Sequence, residues 1–99
     1  MDCARVIQLL RDNRDYLRAE YGVSRIGLFG SVARGEADES SDVDIIVEFE
    51  RPVGLQFVEL ADYLEDLLGR DVDLLTPAGI QAIRPKRVAE SIRQGVVYV

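Results

Sequence analysis

Two apolar runs, Ile26-Gly27-Leu28-Phe29 and Ile45-Ile46-Val47, are joined by a stretch that limits what this chain can fold into. Gly30-Ser31 directly follows the first run, and Asp42-Val43-Asp44 directly precedes the second. The first run reads as a strand end, from which Gly30-Ser31 turns the chain into a short helical segment, Ser31 to Arg34. A polar loop, Gly35 to Ser41, leads to a second strand, Ile45 to Phe49, opened by Asp42-Val43-Asp44. Gly30 carries no Cβ and lets a ligand approach the backbone, and a serine hydroxyl beside it suits a phosphate. Asp42 and Asp44 are two apart on a strand, so both carboxylates point to one face. Val43, Ile45, Val47 and Phe49 point to the other, which anchors the aspartates on a rigid core. Paired carboxylates suit a hard divalent cation such as Mg²⁺. A phosphate cradle beside a cation platform is what nucleotide chemistry requires.

Gly30-Ser31, ten intervening residues and then Asp42-x-Asp44 resembles the signature of the nucleotidyltransferase superfamily that includes DNA polymerase beta. The fuller text, Gly-Ser-x-Ala-Arg-Gly before Ser-Asp-x-Asp, is similar to its smallest branch, the minimal nucleotidyltransferases. Asp73, in Val72-Asp73-Leu74-Leu75, matches the third carboxylate of that family. The resemblance covers nearly the whole chain. It implies a polymerase-beta-like palm, an α/β (α+β) fold with a small mixed sheet and helices packed against it, the Asp42–Asp44 and Asp73 strands adjacent. It also implies a partner, because larger members carry an acceptor-binding domain. Minimal members are encoded beside a small helical HEPN protein and act as antitoxin to that ribonuclease toxin, moving AMP from ATP to a tyrosine hydroxyl.

Composition narrows the alternatives. Ninety-nine residues, 47% of them hydrophobic, are enough for one folded domain over residues 1–99. Eighteen acidic against twelve basic residues give a net charge of −6, which argues against nucleic acid as the main partner. The chain has no histidine and one cysteine, Cys3, which excludes zinc chemistry, a histidine-based triad and an internal disulfide. No apolar run approaches membrane length and the N-terminus has no signal-like region, so a soluble cytoplasmic protein is expected.

The remaining chain alternates helices and strands. Cys3, Val6, Ile7, Leu10, Leu17 and Tyr21 form the apolar face of one helix over the first twenty or so residues, with Asp2 as N-cap and Gly22 as stop. Ser24 to Phe29 is the first strand. Leu55 to Leu68 is a second long helix ended by Gly69, its apolar side made by Phe57, Leu60, Ala61, Leu64, Leu67 and Leu68. Asp71 to Leu75 is the third strand, with Val72 and Leu74 facing away from Asp71 and Asp73. Thr76-Pro77 reads as an N-cap with Pro at N1 of a short helix. A last helix, Lys86 to Gln94, is expected to bury Val88 and Ile92, and Val96 to Val99 to form an edge strand.

The site expected from these residues has Asp42, Asp44 and Asp73 as catalytic, metal-binding carboxylates and Gly30, Ser31 and Arg34 as nucleotide-binding residues. Two like charges at about 4 Å repel by roughly 4 kcal/mol at an effective dielectric near 20, so such a cluster calls for cations, two Mg²⁺ ions in the family's chemistry. Arg34 has two readings, a phosphate contact or a pair with Glu36 or Asp38. Asp71 shares the face of Asp73 and is a supporting candidate. Arg84, Lys86 and Arg87 form a basic cluster, either a solvated helix start or a contact for phosphate or an acidic partner. The expected function is AMP transfer from Mg-ATP to a hydroxyl of a HEPN toxin, within a hetero-oligomer with the toxin or a homo-oligomer. A non-catalytic antitoxin and nucleotidyl transfer to a small molecule are the alternatives. Template-directed polymerisation fits worst, given the acidic charge.

Overall fold

β2 (Val43–Phe49) is the strand on which the fold is built, and its sequence explains why. Val43, Ile45 and Val47 are fully buried on one face, and Ile46 is buried on the other. An apolar run of this kind belongs to an interior strand covered on both sides. The structure, a computed structural model, describes residues 3–36 and 42–99. Before β2 come α1 (Cys3–Asp12), α2 (Arg14–Tyr21), β1 (Val23–Phe29) and α3 (Gly30–Ala33). After it come α4 (Gln56–Leu68), β3 (Val72–Leu75), α5 (Pro77–Gln81), α6 (Lys86–Gln94) and β4 (Val97–Tyr98). The sheet order is β3-β2-β1-β4. β1 runs antiparallel to β2 and to β4, whereas β3 runs parallel to β2, with α4 as the crossover. This is the mixed sheet with packed helices expected from the sequence.

Two apolar clusters hold the sheet. The larger joins Val6, Leu10, Leu17, Leu60, Leu64 and Leu68 of the helices to the inward residues of β1 and β2. The smaller lies on the opposite face, where Ile80 of α5 and Ala89 of α6 cover Phe29 and Ile46. Burying a leucine or isoleucine side chain contributes roughly 1.5–3 kcal/mol. Gly22 and Gly69 end their helices in the left-handed conformation, with φ of 72° and 68°. Thr76 caps α5 as expected, its Oγ1 accepting the Gly79 N–H at 3.1 Å with Pro77 at N1. β4 takes the edge place expected of Val96 to Val99 and pairs with Gly27 and Leu28.

Two expectations need correction. The first helix is two, broken at Asn13. The Asn13 side chain donates to the Leu9 carbonyl at 2.8 Å and accepts from the Tyr63 hydroxyl of α4 at 2.8 Å. An asparagine that bonds backward to the backbone competes with helix continuation, and the Tyr63 bond makes the break a packing point. The expected Asp2 cap lies outside the described residues. In α6, Val88 is 40% exposed while Ala89 is 6% exposed. One residue is about 100° around a helix, so the packed stripe is Ala89 with half-buried Ile92. A small alanine lets α6 close on Phe29 and Ile46.

Candidate active site

Strand register brings the site together. Asp44 is the cross-strand partner of Phe29 on one side and of Asp73 on the other. Phe29, Asp44 and Asp73 therefore share a face, the one opposite the larger core cluster. Asp44 is half-buried, and Asp42 and Asp73 are exposed. β3 is docked here by the Val43 N–H, which donates to the Asp71 carbonyl at 2.9 Å. Asp71 thus serves the site through its backbone, at the entrance to the strand that carries Asp73.

Gly30 sets the other wall. It begins α3 with φ +72°, a conformation that L side chains rarely adopt. A Cβ built on Gly30 would collide with Oδ2 of Asp44. The absent side chain is thus what lets the Asp44 carboxylate lie against the backbone of the turn. Ser31 is half-buried in the first turn of α3, and its carbonyl accepts the Glu36 N–H at 2.9 Å.

Electrostatics single out Asp44. Burial raises its pKa above the ordinary carboxylate value, and so do the charge of Asp73, hydrogen-bonding contact with the Asp73 carboxyl, and the charge of Asp42. Arg34 acts in the opposite direction. Asp44 and Asp73 are thus cross-strand neighbours on one face, with Asp42 near enough for its charge to be felt. Among the described residues no group of three potential ligands closes into a ready metal cage. Arg34 pairs with Glu36 at 3.0 Å on the surface, where such a pair contributes little, so its charge remains open to another anion. Its alternative partner Asp38 lies outside the described residues, as do Ser40 and Ser41.

A cleft of about 420 Å³ opens beside Gly30 and Arg34, with Phe29 in its lining. Its other wall is the end of α6: Ser91, Ile92, Gln94 and Gly95. Sequence reasoning missed this wall, because nothing local to Ser91-Gln94 signals that it meets a glycine sixty residues away. It also missed Glu65, whose carboxylate accepts the Val72 N–H at 3.0 Å and ties β3 to α4. Arg84, Lys86 and Arg87 stand at the opposite end of α6 from the cleft and are exposed. Lys86 instead helps line a separate hollow of about 310 Å³, with Gln81, Glu90 and Arg93.

The arrangement has clear likenesses among known proteins. The sequence profile of the family described as "Nucleotidyltransferase domain" matches residues 10–99. The protein adenylyltransferase MntA of Thermococcus cleftensis is 46% identical over 92 residues, spanning 92% of this chain and 89% of that protein. A solved structure provisionally assigned as a minimal nucleotidyltransferase superposes with a TM-score of 0.75 at 37% identity, covering 98% of this chain and 95% of the other. A chain from a crystal structure of the toxin–antitoxin pair MntA–HepT superposes with a TM-score of 0.55 at 25% identity, covering 97% of this chain and 67% of that one. The expected palm-like fold, with β2 and β3 adjacent, is therefore the fold observed.

Proposed function

This chain belongs to the nucleotidyltransferase family, and on that premise we propose that it places AMP from ATP on a hydroxyl of a HEPN toxin and so acts as its antitoxin. The observation that carries the reading is the cross-strand pair Asp44–Asp73 against the side-chain-free turn at Gly30, on a chain similar to a protein adenylyltransferase throughout. Likeness to a chain of an MntA–HepT complex supports the choice of partner. The reaction belongs in the cytoplasm, where ATP is available, and no described helix is long and apolar enough to cross a membrane. Residues 1–99 act in it as one minimal domain.

The residues present fit Mg²⁺. Their donors are hard carboxylate oxygens, and Asp44, its pKa raised first by burial and then by the charges of Asp73 and Asp42, is a carboxylate whose ionised form a cation would favour. Mg²⁺ is commonly held by one or two carboxylates together with substrate phosphates, which suits the cross-strand neighbours Asp44 and Asp73 with exposed Asp42 two residues before Asp44. Bound there, Mg²⁺ supplies charge neutralisation at the phosphate oxygens and acidifies the attacking hydroxyl.

The chain's own groups do the rest. The bare backbone at Gly30 admits the phosphates, Ser31 Oγ donates to one of them, and the Arg34 guanidinium offsets their charge. Fixed in this way, the α-phosphorus faces the acceptor oxygen in line with the leaving group. The acceptor hydroxyl, a tyrosine of the toxin in this reading, attacks the α-phosphorus. The bond to the bridging oxygen breaks and pyrophosphate leaves. Exposed Asp73 takes the hydroxyl proton.

Intact-mass measurement on a mixture of the chain, a HEPN partner, ATP and Mg²⁺ tests the proposal. The partner should gain the mass of one or more AMP groups. Asp44→Asn should still co-elute with the partner on gel filtration but transfer nothing. If wild type adds no mass with any nucleotide while Asp44→Asn still silences the toxin, the protein works by binding alone.

A further inference from the structure

α6 ends at the cleft and β4 follows it at once, so whatever holds β4 also holds the cleft wall. The backbone holds β4 lightly: it pairs with β1 through Gly27–Tyr98 and Leu28–Val97, and the Val99 N–H donates to the Ile26 carbonyl at 2.9 Å. Side chains add a second hold. Ile26 and Leu28 belong to the larger cluster and Phe29 to the smaller, so Arg25 and Gly27 share the sheet face of Phe29. A Cβ on Gly27 would come within 2.9 Å of Val96 Cγ1, 3.0 Å of Tyr98 Cδ1 and 3.1 Å of the Val97 carbonyl oxygen, so the bare glycine is what lets β4 lie close. The Arg25 guanidinium sits over the Tyr98 ring, 3.4 Å from its centroid, and is 3.5 Å from the Glu48 carboxylate of β2. Ile92 and Val96, either side of the helix end at Gly95, pack into the smaller cluster with Phe29.

We infer that Tyr98 is a positioning residue for nucleotide binding: its ring, packed on Gly27 and Arg25, latches β4 to the sheet and so fixes the wall from Ser91 to Gly95 against Gly30 and Arg34. The inference rests on the reading that this cleft receives ATP. Tyr98 is not in the cleft lining, so it acts through the wall and not by touching the nucleotide. Two residues separate it from Gly95, too few to absorb a displacement of the strand before it reaches the helix end. A short edge strand with few ladder bonds is the kind of element that opens locally at low cost. A cleft competent only while its wall is docked binds its ligand more weakly by the fraction of time the wall is docked. The latch keeps that fraction high. At 39% exposure the ring contributes little to the core, whose larger cluster lies on the other face, so the fold does not depend on it.

Calorimetry with ATP and Mg²⁺ on the full chain, paired with amide hydrogen exchange, tests the latch. Tyr98→Ala should weaken ATP binding by about threefold or more. It should also speed exchange at the Val99 N–H, which bonds to β1, and at the Gly95 N–H, which closes the helix end on the Ser91 and Ile92 carbonyls. Tyr98→Phe keeps the ring without the hydroxyl and should restore both. Gly27→Ala, whose methyl meets Tyr98 and the Val97 carbonyl, should reproduce the effect of Tyr98→Ala with the tyrosine still present. Val6→Ala controls for lost stability: it opens a gap in the larger cluster, on the far face of the sheet, and should lower the urea midpoint without changing the dissociation constant. An ATP affinity unchanged by Tyr98→Ala, whatever the exchange at Val99, or an affinity loss that Val6→Ala matches, makes the tyrosine a purely structural anchor and overturns the inference. A wild type that binds no ATP overturns it together with the proposed function. A wild type that binds ATP through the latch but transfers nothing supports the inference and refutes only the reaction.

Discussion

Replacing Gly30 by alanine probes the one place where a missing side chain shapes the site. The left-handed backbone costs an L-residue roughly 1–2 kcal/mol. The new Cβ would also meet Asp44 Oδ2, and turning that carboxylate off its rotamer costs about 0.5–1.5 kcal/mol more. Gly69→Ala is the control, because Gly69 has φ +68° with nothing within 4 Å of its would-be Cβ. Equilibrium unfolding in urea should show Gly30→Ala as the less stable variant, by about 1 kcal/mol. The larger effect is chemical. Displacing a reacting group by about 1 Å costs on the order of 10²-fold in rate, so initial rates of AMP addition followed by mass should fall by about that factor for Gly30→Ala. Gly69→Ala should keep its rate. Equal stability of the two variants, together with undiminished transfer by Gly30→Ala, would refute the claim that Gly30 makes room for Asp44.

Three further outcomes follow from the same geometry. The folded-state pKa of Asp44 lies above its unfolded value, chiefly through burial and then the Asp73 charge, so the native state holds the proton more tightly. This contribution to stability is present in full below the unfolded pKa and is lost as pH rises through the folded one; in chelator, Asp44→Asn should therefore gain stability relative to wild type as pH rises through that window, seen in thermal melts. Glu65→Ala removes the acceptor of the Val72 N–H and should cost about 1–3 kcal/mol in urea unfolding, whereas Glu65→Gln, which keeps a carbonyl acceptor, should recover most of it. Leu64→Ala, at a fully buried position between α4 and the sheet, should cost roughly 2–5 kcal/mol by the same measurement.

Local chemistry made much of this molecule legible before any fold was known. The alternation of Val43, Ile45 and Val47 with Asp44 needs only the two-residue period of a strand, and both the buried face and the face bearing Asp44 came out as read. Gly22, Gly69 and Thr76 declared their helix ends because left-handed turns and side-chain caps are properties of a few adjacent residues. The motif around Gly30-Ser31 and Asp42-x-Asp44 carried the family for the same reason, since its spacing is written along a single stretch of chain.

What depended on distant residues was decided only in three dimensions. Asp73 stands beside Asp44 because β3 runs parallel to β2 in one register; a slip of a single residue would turn its carboxylate to the other face. The break at Asn13 is stabilised by a hydroxyl fifty residues away, and α6 is rotated onto Ala89 rather than Val88 by the shape of the Phe29–Ile46 surface beneath it. The cleft wall of Gln94 and Gly95 exists only because that helix ends opposite Gly30. Periodicity assigns a residue to a face of its own element, but which neighbour that face meets is settled by packing across the sheet, where small side chains and close approach decide the fit.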